Sequence, residues 1–168
     1  MAERAGVAVP TVDRVVRAAD GSALLVMEWV DGCSLDRLSG DQIIDELLVR
    51  QWSQVEKLHS AGIAHRSLRS ANVLVDSAGL PRLADFSFSE LAATDRQMDL
   101  DVAELLASLA VQVGESRAVC SAARVLGADG VAPSVPLLQP LALSRRRATP
   151  SRDTTACWHG HAPGRQLQ

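Results

Sequence analysis

Asn72 and Asp85 are the two residues of this 168-residue chain whose types and spacing best suit metal-phosphate chemistry. Each belongs to a short, mostly apolar run, Asn72 to Asp76 (NVLVD) and Arg82 to Phe86 (RLADF), and the turn-forming SAGLP separates the runs. Two such runs around a Gly/Pro turn predict a β-hairpin. With Asp76 paired to Arg82, the register carries Asn72 opposite Phe86, with Asp85 beside it at the open end of the ladder. An amide oxygen and a carboxylate held together make a hard-oxygen pair suited to Mg2+, which keeps several waters and takes phosphate oxygens as further ligands.

The elements around this hairpin must position it. From Asp41 to Ala61 the apolar residues Ile44, Leu47, Leu48, Trp52, Val55 and Leu58 recur at steps of three and four, the stripe of an amphipathic helix. Trp52 lies on that stripe and reads as core, Glu46 and Arg50 are spaced as a helical ion pair, and Gly62 suits a left-handed stop. The polar loop from His65 to Asn72 (HRSLRSAN) joins this helix to the hairpin. Upstream, Ala23 to Val30 (ALLVMEWV) has strand length, with Thr11 to Val16 as its hairpin partner across Ala18–Gly21. Ser34 is placed to cap a short helix from Leu35 to Leu38, ended by Gly40. Downstream, helices are expected from about Asp99 to Val113 and from Ala118 to Leu126, then short pieces in a proline-interrupted stretch to Leu143.

Composition limits the function classes. The formal charge of −3 argues against nucleic-acid binding through bulk positive charge. No window nears the ~18 uninterrupted apolar residues of a membrane span. Three cysteines without C-x-x-C spacing fit a reducing, cytoplasmic setting. Charge is uneven: residues 1–144 carry 12 Arg/Lys against 19 Asp/Glu, whereas 145–168 carry five Arg and one Asp. That last segment holds Leu167 as its only aliphatic residue beyond alanine and reads as a disordered basic tail, its Cys157-to-His161 run (CWHGH) being incidental. Lysine occurs once, at Lys57 on the first long helix, where it reads as a solvated side chain.

HRSL-x-x-x-N, from His65 to Asn72, resembles the catalytic loop H-R-D-L-x-x-x-N of protein kinases, and Asp85-Phe86-Ser87 resembles D-F-G. Leu25 to Gly32 (LVMEWVDG) resembles the strand and hinge between kinase lobes. The resemblance covers about residues 5–115. It implies an α+β fold with a mostly helical kinase-like C-lobe and a partial N-lobe sheet. It divides the chain into 1–32 (partial N-lobe and hinge), 33–144 (C-lobe) and 145–168 (tail). It implies ATP held at the backbone of Glu28 and Val30 with Met27 guarding the pocket, and Mg2+ held by Asn72 and Asp85. Asp99 or Asp101 would be the aspartate that braces the catalytic loop. The short segment after Asp85 is closest in compactness to RIO-like and aminoglycoside-phosphotransferase-like kinases.

The departures bear on activity. Ser67 stands where kinases place the carboxylate that accepts the substrate hydroxyl proton, and a neutral serine is no such base. Ser87 replaces the glycine of D-F-G and disfavours positive φ there. The chain has no G-x-G and no strand lysine, so Met1 falls near the end of the family's regulatory helix. The resemblance therefore implies an ATP-dependent phosphotransferase that is catalytically impaired. The alternatives are a pseudokinase module for nucleotide or a protein partner, or a remnant of a longer, membrane-fused kinase-like protein. A partial small lobe would leave strand edge and apolar surface exposed, to be met by a partner or by the missing N-lobe segment.

Overall fold

Apolar residues at steps of three and four wind one helix, α1 (Asp45–Ser60), and bury Leu47, Leu48, Trp52, Val55 and Leu58 along one side. The computed structural model of the chain describes residues 1–138. The start expected at Asp41 is four residues early. Ile44 occupies the N-cap and is 55% exposed, while Ile43 takes the buried place. Gly62 turns the chain out of the helix at φ 70°, where a side chain would strain the backbone.

The second helix, α2 (Asp95–Val113), begins four residues before the expected Asp99, because Thr94 and Gln97 form a reciprocal capping box there. The third, α3 (Glu115–Val131), runs past both expected ends and kinks at Gly127, which has φ 74°. Both α1 and α2 pack on α3, and the buried indole of Trp52 donates to Ser121 Oγ at 3.0 Å. A 3-10 turn, Ala132–Leu137, closes the bundle against α2.

Three small antiparallel sheets complete an α+β fold. β1 (Val12–Arg17) and β2 (Ala23–Met27) form a two-stranded ribbon, so the strand expected to reach Val30 stops at Met27. β3 (Gly32–Ser34) pairs with β5 (Val73–Asp76), which pairs with β6 (Pro81–Leu83). β4 (Ile63–Ala64) pairs with β7 (Glu90–Leu91). Neither β3 nor the β4–β7 pair was expected from periodicity, since each is two or three residues long. Where a cap and helix were expected, Ser34 ends β3 without a side-chain cap and Leu35–Arg37 is one 3-10 turn.

The hairpin that carries the site has a different register from the one expected. Leu74, not Asp76, lies opposite Arg82. The reason is the turn. Ser77 to Gly79 make a three-residue loop, with Asp76 N–H donating to Leu80 O at 3.1 Å and Gly79 at φ 74°. The expected five-residue turn would have slid the strands by two residues. A slip of two keeps every side chain on its own face, but it changes who faces whom at the open end.

The N-terminal segment packs onto this hairpin from outside. Val7 is buried, Ala8 O accepts Leu83 N–H at 2.8 Å, and Ala8 N–H donates to Gln54 Oε1 at 2.7 Å. Among the described residues no helix is long and apolar enough to cross a membrane. Residues 145–168 with their Cys157-to-His161 run, and the end of the proline-interrupted stretch, lie outside the described residues.

Candidate functional site

The loop between β4 and β5 is held by one carboxylate. Asp101, 1% exposed in the second turn of α2, accepts the backbone N–H of His65 at 2.6 Å and of Arg66 at 2.7 Å. His59 Nε2 lies 3.3 Å from the same carboxylate. A buried charge is tolerated only when such bonds replace its water. Here they also hold Arg66 at φ 62°, a conformation costing a non-glycine residue about 1–2 kcal/mol. Of the two aspartates left open by the sequence, Asp101 is therefore the brace. Asp99 is half-buried instead, its carboxyl pushed up first by burial and then by Asp95.

His65 is fully buried. Its Nε2 lies 2.9 Å from Ala84 O and its ring stacks at a tilt on Phe86, with centroids 4.6 Å apart. Burial pushes the imidazole below its ordinary value, against the pull of Asp101. A neutral ring with the proton on Nε2 satisfies Ala84 O, and the loop is thereby fastened to the backbone just before Asp85.

Two residues on, Ser67 meets Asn72. The amide Nδ2 of Asn72 donates to Ser67 O at 2.8 Å and lies 3.1 Å from Ser67 Oγ. This use of the nitrogen turns the amide oxygen away from Ser67. The corrected register sets Asn72 against Ala84, whose N–H donates to Asn72 O at 2.9 Å, rather than against Phe86. Asp85 is the next residue along. It is exposed, has φ 63°, and accepts the Ser87 hydroxyl at 2.6 Å. Ser87 sits inside a 3-10 turn, Phe86–Phe88, and is not among the described residues with positive φ, so the glycine-like freedom expected to be lost there is not called on.

The hinge residues lie in a separate segment. Met27 ends β2 and is half-exposed. Glu28 bends back, with Oε2 accepting Thr11 N–H at 3.1 Å, and Val30 is half-buried between β2 and β3. Arg82 on β6 links the two groups, its Nη1 lying 3.3 Å from Glu28 Oε2 and its Nε 3.2 Å from Asp76 Oδ2. Arg66 pairs with Glu90 on β7 at 2.6 Å, and Gln97 donates to the same carboxylate at 2.7 Å. Sequence reading missed the Arg82–Glu28, Arg66–Glu90 and His59–Asp101 links, because the partners in each are distant in sequence. No local pattern announces such a pair.

The donors present suit a hydrated hard cation. Asn72 ends the 3-10 turn Ser70–Asn72 and Asp85 lies two residues beyond β6, their chain ends joined through the bond from Ala84 N–H to Asn72 O. Among the described residues no group of three or more His, Cys, Asp or Glu could hold a metal by itself. By chemistry alone, an amide oxygen and a carboxylate are hard donors of the kind that Mg2+ takes alongside water and phosphate.

A family model described as the protein kinase domain matches residues 10–107, more than half of the chain. The serine/threonine-protein kinase dst3 of Dictyostelium discoideum is 39% identical over 83 residues, covering 45% of this chain and 15% of that protein. Mitogen-activated protein kinase kinase kinase 3 of Arabidopsis thaliana is 37% identical over 81 residues, covering 45% of this chain and 12% of that protein. The chain spans less than a sixth of the length of either relative. Among solved structures, the yeast RNA Pol II CTD kinase CTDK-1 complex aligns with 21% identity and a TM-score of 0.41, over 51% of this chain and 30% of that one. On the family match, this chain belongs to the protein kinase domain family.

Proposed function

We propose that the chain is a kinase-like module that binds ATP with Mg2+ and transfers phosphate poorly. Its residues 1–32 would serve as a partial N-lobe and hinge, and 33–144 as the C-lobe. Kinase relatives use ATP and Mg2+ in general. In this chain Asn72 and Asp85 would hold the ion, while the backbone of Glu28 and Val30 beside Met27 would take the adenine. Bound there, the ion would bridge phosphate oxygens and neutralise their charge.

One observation carries the impairment. Asp101 braces the loop backbone at His65 and Arg66, and the residue thereby presented is Ser67, not a carboxylate. Its hydroxyl is engaged by Asn72 and has no base of its own. Loss of a positioned base costs ~10²–10⁴ in rate.

Calorimetric titration of Mg·ATP into the full chain tests the reading. Binding that Asp85→Ala or Asn72→Ala abolishes supports it. Absence of any binding would overturn it, leaving a module whose role is to meet a protein partner. The exposed ribbon β1–β2 favours that second reading.

A further inference from the structure

Arg82 stands on β6, three residues before Asp85, and its guanidinium spans two carboxylates. Its Nε lies 3.2 Å from Asp76 Oδ2, and its Nη1 lies 3.4 and 3.3 Å from Glu28 Oε1 and Oε2. Asp76 belongs to the hairpin, where its Oδ1 accepts the N–H groups of Ala78 at 3.0 Å and Leu80 at 2.9 Å and so closes the turn. Glu28 belongs to the ribbon. Its N–H donates to Thr11 O at 2.8 Å and its Oε2 accepts Thr11 N–H at 3.1 Å, which ties it to the residue before β1 through backbone and side chain alike.

The ribbon packs chiefly on itself, so packing does little to fix where Glu28 and Val30 stand relative to Asn72 and Asp85. The segment that follows β2 is anchored at two points instead. Asp31 O accepts Ser77 N–H at 2.8 Å at its far end, and Arg82 holds Glu28 at its near end. Without the guanidinium, the carboxylates of Glu28 and Asp76 would repel each other with no cation between them. The Glu28 carboxyl lies below its ordinary value, first through Thr11, with Arg82 adding to the pull and Asp76 opposing it.

We propose that Arg82 is a positioning residue of the nucleotide site. It sets the separation between the adenine-binding backbone of Glu28 and Val30 and the oxygen donors of Asn72 and Asp85. The proposal rests on the nucleotide reading above. A ligand that spans both ends gains from the second contact only when the two are held at the separation it needs, because that contact then forms at high effective concentration. A ligand that uses one end alone is indifferent to the separation.

Titration of Mg·ATP, adenosine and Mg·tripolyphosphate into the full chain and into Arg82→Met tests this. Methionine keeps an unbranched stem and removes the charge. The expected result is a loss of Mg·ATP affinity of roughly two- to fivefold, the range of a partly exposed ion pair, with adenosine and Mg·tripolyphosphate unchanged. Arg82→Lys, which keeps a charge without the fork, should fall between. In a Glu28→Gln background, Arg82→Met should cost no further Mg·ATP affinity. In the ligand-free chain, Arg82→Met should speed amide exchange at Thr11 and Glu28 and leave His65 and Arg66 as they were. Equal losses for all three ligands, no loss for Mg·ATP, or unaltered exchange at Thr11 and Glu28 would overturn the assignment and leave the nucleotide reading standing. An unaltered chain that binds none of the three would overturn that reading, and the assignment with it.

Discussion

Asp101 accepts the backbone N–H of His65 at 2.6 Å across 36 residues of chain. The carboxylate sits at the start of α2, so the position of an entire helix is transmitted to the loop that presents Ser67 and Asn72. Because the same group also accepts Arg66 N–H, its loss strands two donors at once. Hydrogen bonds to charged groups contribute ~1.5–3 kcal/mol each.

Asp101→Ala should therefore cost about 3 kcal/mol or more of folding stability. Urea denaturation measures it. A loss below ~1 kcal/mol, the level of a surface ion pair, would show that the brace carries little.

Stability should fall as pH is lowered below about 6.5, the ordinary histidine value. Burial depresses the pKa of His65 in the folded state, so the unfolded chain binds a proton that the native one refuses. The full stability is present above the unfolded value and is lost as pH drops toward the depressed folded value. Denaturation midpoints from pH 7.5 to 5 should decline, and His65→Gln should flatten the slope.

Asp99 has the opposite sign. Its raised pKa means that the charged form is disfavoured in the native state, first by burial and then by Asp95. The stability it contributes is present below 3.8 and is lost as pH rises through the raised value. Asp99→Asn should accordingly raise the thermal midpoint at pH 7, and a lowered midpoint would refute this.

Gly32→Ala should weaken the attachment of β3 to β5. A Cβ there would sit 2.0 Å from Val75 O, a backbone atom that cannot swing aside. Overpacking of this kind costs ~1–3 kcal/mol, read as a drop in thermal midpoint. An unchanged midpoint would mean that β3 is dispensable.

Gln51→Met should stabilise the chain. Gln51 is fully buried in α1 among the core leucines, and neither its Nε2 nor its Oε1 has a hydrogen-bond partner among the described residues. Unsatisfied buried polar groups cost ~1–3 kcal/mol, and methionine keeps the length without the amide. A decrease in stability would point to a partner such as a bound water.

If a missing base limits phosphoryl transfer, Ser67→Asp should raise any Asp85-dependent transfer by ~10²–10⁴. Radiolabelled phosphate transfer to a generic protein substrate provides the measurement. A rate equal to that of the unaltered chain would place the deficit at the triphosphate instead.

The chain order of ribbon, long helix, polar loop and hairpin was legible in the sequence, because each depends on residues a few positions apart. The stripe from Leu47 to Leu58, the turn chemistry at Gly79 and the spacing of Asn72 from Asp85 are local properties. They bring the two ends of the hairpin together, residue 72 against 84 or against 86, whichever of the two registers forms.

Tertiary structure decided the rest. Asp99 and Asp101 are indistinguishable as helix-start acids, and only the packing of α2 beneath the loop selects Asp101. The hairpin register was settled by the three-residue loop closing at Asp76 and Leu80, not by the apolar runs on either side. β3, the β4–β7 pair and the Arg82–Glu28 link join residues 26 to 54 positions apart. Such contacts come from whichever distant surfaces the core brings together, and periodicity, which records only what a segment does with its own neighbours, holds no trace of them.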